Sequence, residues 1–288
     1  MATALTATLE QRLTRALEAV CGAVGIDPGR AELIKFTVNA VYKIDEYVVR
    51  LAQGSLAQDR AARVVAVARA FAACDAPTVT LADDITNQPV AAGDWVATVW
   101  RRVPAPGGTP SAHHLAGPLR ALHSLDAPPV DLPAWSPIDK TRDRLALAIS
   151  LPADDAAYTH SWAHTQLGYA LDDLLARLYH VCDRLDEQLS QLQWHLPTGV
   201  VHGDAHTGNL LLPATGRPVL CDLDSVAIGP CEWDLVPTAH GPARFGRSPA
   251  CQRPSVSPHW RPAEFPTGGH RFSPLAATKS PQGSGWLG

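Results

Sequence analysis

The sequence predicts an α+β chain in two lobes: a small N-terminal lobe with an antiparallel sheet, then a mostly helical C-terminal lobe. Three observations lead there. Residues 1–103 alternate amphipathic helical stretches with short runs rich in β-branched and aromatic residues. A Pro/Gly segment, VPAPGGTP at 103–110, reads as a linker. Beyond it the apolar period is that of helices. The length of 288 residues exceeds the needs of one small core, and 46% apolar residues suffice to build a real one.

Taken in order, residues 5–24 predict an amphipathic helix, because Leu9, Leu13, Leu17, Val20 and Val24 recur at helical spacing. FTVNAVYKIDEYVVRL (36–51) predicts two antiparallel strands broken by a turn at IDEY. LAQDRAARVVAVARAFAACDAP returns to helix and stops before Pro77. PTVTLA and DWVATVWRRV predict two more strands, completing a lobe at 1–103. The lobe at 104–240 holds helices at 112–125, about 138–150 and about 157–193, then a hairpin with strands at 209–212 and 218–222, then a short helix near Glu232. Residues 241–288 change character. They hold 8 Pro, 7 Gly, 6 Ser and a single acid, Glu264, and no apolar period survives. A disordered tail and the product of a reading-frame error are both consistent with this composition.

Several function classes are disfavoured by composition. A net charge of −4 argues against a protein built to hold nucleic acid. The six Cys form no C-x-x-C pair, so neither a zinc site nor a disulfide framework is indicated, and a reducing cytoplasm fits. Glu10, Arg12 and Arg15 spoil a signal-peptide core, and no run of 18 apolar residues predicts a membrane span. His113, His114 and His123 read as exposed helix positions, Trp100, Trp135 and Trp162 as packing residues, and Asp83 and Asp84 as turn residues.

The chemistry concentrates in VVHGDAHTGNLLLPATGRPVLCDLDS, residues 200–225. Phosphoryl transfer from a nucleotide needs a carboxylate to orient the attacking hydroxyl and oxygen ligands for one or two Mg2+ ions. HGDAHTGN supplies a carboxylate at Asp204 and an amide oxygen five residues later at Asn209. VLCDLD supplies Asp222 at the end of an apolar strand. The turn PATGRP would bring Asn209 and Asp222 side by side around one ion, with Asp204 apart and facing a substrate. His206 reads as a surface or substrate-side residue ahead of a metal ligand, because no H-x-H precedes it.

The run HGDAHTGN, VLCDLDS, CEWDL resembles the aminoglycoside phosphotransferase and choline kinase family, whose fold is bilobal and protein-kinase-like. The resemblance covers about residues 30–240. It implies that Asp204 is the catalytic base, that Asn209 and Asp222 bind Mg2+, that His202 braces the loop, and that Asp234 anchors it from a following helix. Asp224 matches a position that is often acidic. NAVYKIDEYVVRL is similar to the nucleotide-covering hairpin and the strand with a phosphate-binding Lys or Arg, here Arg50. VATVWRRV is similar to the inter-lobe hinge, which assigns Val99 and Arg101 to the nucleotide. The implied cofactors are Mg2+ and ATP or GTP, and the implied partner is a small-molecule hydroxyl acceptor. The sequence departs from the pattern in two places. No Gly occurs in 35–41, and only Asp59 stands in the helix after Arg50 as its acidic partner.

Two other readings fit parts of the chain. VLCDLDSVAI resembles the D-x-D motif of haloacid-dehalogenase-type phosphatases, with Asp222 as nucleophile and Asp224 as acid, although the long α/β segment such a fold needs afterwards is missing. A kinase-like remnant that binds nucleotide without turnover is the other.

Overall fold

The computed structural model describes residues 7–240 except 38, 105–107, 127–129, 150–152 and 215. These belong to one compact unit, Met1–Pro242. Both readings of 241–288 lie outside the described residues.

The α+β arrangement expected from the sequence is the one observed. Helix α1 (Ala7–Val24) buries Leu13, Leu17, Val20 and Cys21 on one face. That face covers one side of a five-stranded antiparallel sheet formed by β1 (Glu32–Phe36), β2 (Ala40–Ile44), β3 (Tyr47–Gln53), β4 (Val90–Ala92) and β5 (Trp95–Arg101), in the order β1-β2-β3-β5-β4. Alternation along β3 decides what meets what. Val49 and Leu51 join the α1 core. Val48 packs in a second core, and Arg50 lies on the same face as Val48.

The hairpin at IDEY forms, with Ile44 paired to Tyr47 and Asp45 at φ 45° in the turn. β1 and β4 were not expected. ELIKF is an edge strand with four of its five residues exposed, so it carries no alternating apolar signal. β4 is three residues long and joins β5 through Gly93, at φ 61°. The strand expected at PTVTLA does not form. Its backbone divides between two partners, Val79 N donating to Leu220 O and Ala82 N to Val99 O, so no single ladder grows.

Helix α2 (Ser55–Ala73) turns Val64, Val67, Ala68 and Phe71 into the second core. That core continues into α3 (Ala112–His123) through Leu115, Leu119 and Leu122, and on to Val200, Leu210 and Leu220. The expected boundary at 103/104 is therefore crossed by shared packing. Helices α4 (Pro137–Ile149), α5 (Ala153–Trp162) and α6 (Leu171–Ser190) follow. The single helix expected over 157–193 is broken: a π-turn at Ala163–Leu167 ends at Gly168, whose φ of 73° stops the helix. Trp162, expected to pack, is 46% exposed. Strand β6 (Thr198–Val201) pairs with β9 (Ala227–Pro230), and β7 (Leu210–Leu211) with β8 (Val219–Leu220). A 3-10 turn at Cys231–Leu235 leads into α7 (Val236–His240). No helix among the described residues is long and apolar enough to cross a membrane.

Candidate active site

The loop after β6 is held from beneath by one buried carboxylate. Asp234, fully buried, accepts from the backbone N–H of His202 at 2.7 Å and of Gly203 at 2.8 Å. His123 Nε2 lies 2.9 Å from the same carboxylate, so His123 is not the exposed helix position its sequence context suggested. Trp233 Nε1 donates to Gly203 O at 3.1 Å. Gly203 sits at φ 79°, and a Cβ there would fall 2.2 Å from Ser225 O. Only glycine lets the 202–209 loop lie against the 222–225 turn.

His202 joins the same two segments. Its Nε2 lies 3.0 Å from Cys221 O, and donating that proton leaves Nδ1 bare and without a partner in the interior. Burial pushes the His202 pKa down, which keeps the imidazole neutral, against weaker opposing attraction from Asp234.

Asp204 follows directly and its side chain is 53% exposed. Asn209 is buried and reaches back to it, Nδ2 donating to Asp204 O at 3.0 Å and to Oδ2 at 3.1 Å. His206 Nδ1 accepts from Gly208 N at 3.0 Å, and its Nε2 stands 3.8 Å from Asp204 Oδ1. Register decides how Asn209 meets the second carboxylate. Leu210 pairs with Leu220, and Cys221 N donates to Asn209 O at 2.9 Å. Asn209 thus stands opposite Cys221, and Asp222 comes one residue later rather than directly beside it. Asp222 adopts the left-handed region, φ 65° and ψ 66°, uncommon outside glycine and a mark of a backbone held by its surroundings.

Arg50 arrives from β3. Its guanidinium grips Asp224 with two hydrogen bonds, Nη1 to Oδ1 at 2.9 Å and Nη2 to Oδ2, and lies 3.7 Å from Asp222. Asn39, its amide oxygen turned toward the guanidinium, accepts from Nε at 3.1 Å. Burial works against the Arg50 charge, but hydrogen bonding and attraction from Asp224, with Asp222 behind it, raise its pKa further. The acid expected on α2 is therefore replaced: Asp59 makes no ion pair with Arg50, and Asp224 supplies the counter-charge from the far side of the sequence. This engagement also removes Asp224 as a free acid, and β8 is a two-residue strand antiparallel to β7. The dehalogenase-type reading is not supported on either count.

The structure gathers Arg50, His202, Asp204, Asn209, Asp222, Asp224 and Asp234 into one region. It does not bring Val99 or Arg101 there. Val99 is fully buried toward α1; its N–H donates to Gln88 Oε1 at 2.7 Å and its carbonyl accepts from Ala82 N. No backbone group of Val99 is left for a base edge. Arg101 is paired with Asp83 at 2.5 Å and Asp84 at 2.8 Å, and lies over the Tyr47 ring. Asp83 and Asp84 are therefore more than turn residues. Sequence reasoning missed Asn39 and His123. The only hint of Asn39 was its place just before the β2–β3 hairpin.

The chain matches the profile of the phosphotransferase enzyme family over residues 36–261, most of its length. The chain belongs to this family. Among solved structures, the phosphotransferase is similar to aminoglycoside phosphotransferase APH(3'')-Id from Streptomyces rimosus, with 22% identity, 79% of this chain and 83% of that chain covered, and a TM-score of 0.49. It is also similar to a choline/ethanolamine kinase family protein from Mesorhizobium loti, with 18% identity, 80% and 69% covered, and a TM-score of 0.46. No curated protein matches the chain.

Proposed function

We propose that this phosphotransferase is a Mg2+-dependent small-molecule kinase that moves the γ-phosphoryl group of ATP or GTP to a hydroxyl of a small acceptor. One observation carries the reading: Asp204 is half-exposed and oriented by Asn209, on a loop that Asp234 holds from beneath and His202 ties to Cys221, the residue before Asp222. In the reaction the acceptor oxygen attacks the γ-phosphorus, the bond to the bridging oxygen breaks, the nucleoside diphosphate leaves, and the hydroxyl proton passes to Asp204.

The donor set fits magnesium. Asn209 uses Nδ2 on Asp204, and no described group donates to its Oδ1. Among the described residues, the Asp222 carboxylate has only the 3.7 Å approach of Arg50. Among the described residues no three His, Cys, Asp or Glu are grouped to hold a metal. Two hard oxygen donors suit an ion that keeps waters and binds substrate phosphates, whereas a closed zinc cage needs more. Bound there, Mg2+ would neutralise phosphate charge. Arg50, fixed by Asp224 and Asn39, adds a cation beside Asp222. His202 and Asp234 act by position, holding the loop rather than touching substrate.

The test is nucleoside-diphosphate release with ATP and GTP, with and without Mg2+, across small hydroxyl acceptors. Asp204→Ala is expected to lower turnover by about 10^2–10^4 and to leave the Mg2+-nucleotide thermal shift in place. Turnover surviving the change would reject Asp204 as the base.

A further inference from the structure

Next to Asp224, α2 and α4 present cations that form no ion pair among the described residues. A cavity of about 340 Å3 runs from Arg50 and Asp224 along α2 to Leu147 of α4, and Arg60 lines it. Arg63 follows Arg60 at i+3. Lys140, Arg144 and Leu147 repeat at i, i+4 and i+7, one face of α4, and Leu147 in the cavity wall aims that face at α2. All four cations are exposed, and among the described residues none forms an ion pair. Among the described residues, the acids of α2 and α4 pair elsewhere or with none of the four. Asp139 bonds Ser136 and Arg142; Asp183 and Asp186 hold Arg142; Asp59 and Asp143 pair with none of the four.

The four charges also feel one another. Partial burial, then repulsion from Arg63, Arg144 and Arg60, holds the Lys140 ammonium below the ordinary lysine range, against an opposing attraction from Asp224. Crowding four cations on a chain whose net charge is −4 costs electrostatic energy that an anion would relieve.

We infer that Arg60, Arg63, Lys140 and Arg144 form the subsite for an anionic group, phosphate or carboxylate, carried by the acceptor. The inference rests on the kinase reading above and names its substrate class. The donor phosphates have the Asp222, Asn209 and Arg50 side of the region, on the sheet and its adjoining turn. The cluster stands on two helices beyond Asp224. A polycationic acceptor would meet four like charges there and is disfavoured.

The experiment is calorimetric titration of the full chain with 3-phosphoglycerate, which bears a phosphate, a carboxylate and a free hydroxyl. The chain is first saturated with Mg2+ and a non-hydrolysable ATP analogue, so the donor site is filled. Wild type is compared with Arg63→Glu/Lys140→Glu and with the milder Lys140→Ala/Arg144→Ala. Binding to wild type that weakens about tenfold or more per charge removed, with the Mg2+-ATP thermal shift and melting temperature unchanged, supports the subsite. No binding to wild type that still shows the Mg2+-ATP shift overturns the subsite and leaves the kinase reading standing. Loss of the Mg2+-ATP shift in step with 3-phosphoglycerate binding overturns it as well, because the cluster then serves the donor. Absence of any Mg2+-ATP shift in wild type defeats the kinase reading itself and the acceptor role with it.

Discussion

Replacing Asp234 by Ala removes one side chain and unmakes three contacts. The carboxylate is fully buried and receives His202 N, Gly203 N and His123 Nε2 at 2.7, 2.8 and 2.9 Å. Hydrogen bonds to a charged group are each worth about 1.5–3 kcal/mol, and a buried donor left unpaired costs about 1–3 kcal/mol. His202 is fully buried, so its N–H has no water to turn to, whereas Gly203 is only partly covered and water can replace its partner. Discounting Gly203 leaves an expected loss of about 3–5 kcal/mol, the cost of the His202 and His123 hydrogen bonds and of a buried N–H left unpaired. Against a total of about 5–15 kcal/mol for a typical domain, the variant is expected to fold but with a much lower midpoint. Urea unfolding at neutral pH, with slopes compared as well as midpoints, measures this. Asp234→Asn is the control: it preserves volume but turns an NH2 toward donors, so it should recover little. A loss under about 1 kcal/mol for Asp234→Ala would refute the reasoning that this carboxylate holds the loop.

Three further outcomes are expected. Gly203→Ala puts a Cβ 2.2 Å from Ser225 O at a φ of 79°, and should destabilise by about 2–4 kcal/mol, read as a drop in melting temperature; an unchanged melting temperature would show that the two turns separate without cost. Asp222→Ala should abolish the Mg2+-dependent part of the nucleotide thermal shift, and a retained Mg2+ effect would move the metal elsewhere. Because burial lowers the His202 pKa, the unfolded chain binds a proton near the ordinary value of 6.5 that the folded chain refuses. The His202 contribution is therefore fully present above that value and lost as pH falls below it. Urea midpoints at pH 7.5 and 5.5 should show a smaller decline in His202→Gln than in wild type, and an equal decline in both would contradict this.

What the sequence determined by itself was short-range. The spacing of Asp204 from Asn209 and the placing of Asp222 behind an apolar strand were legible because turn residues and two-residue periods act within a few positions. The same local signals marked α1, α2 and the β2–β3 hairpin. They failed where no local pattern existed: exposed β1, three-residue β4, and the β6–β9 pair, whose strands are far apart in the chain. They also overran Gly168, since an amphipathic period continues across a residue that breaks the backbone.

Only the tertiary structure chose the long-range partners. The acid that meets Arg50 lies 174 positions away at Asp224, where a helix-borne acid had been expected. His123 meets Asp234 across 111 positions. Val99 and Arg101 stand in the segment that resembles a nucleotide-facing hinge, yet strand alternation and the Gln88, Asp83 and Asp84 side chains commit them within the sheet-bearing half. The physical reason is common to these cases. A charge or a buried N–H takes whichever partner packing delivers within hydrogen-bond reach, and that delivery depends on how sheet, helices and hairpin close on one another, which no short window of sequence contains.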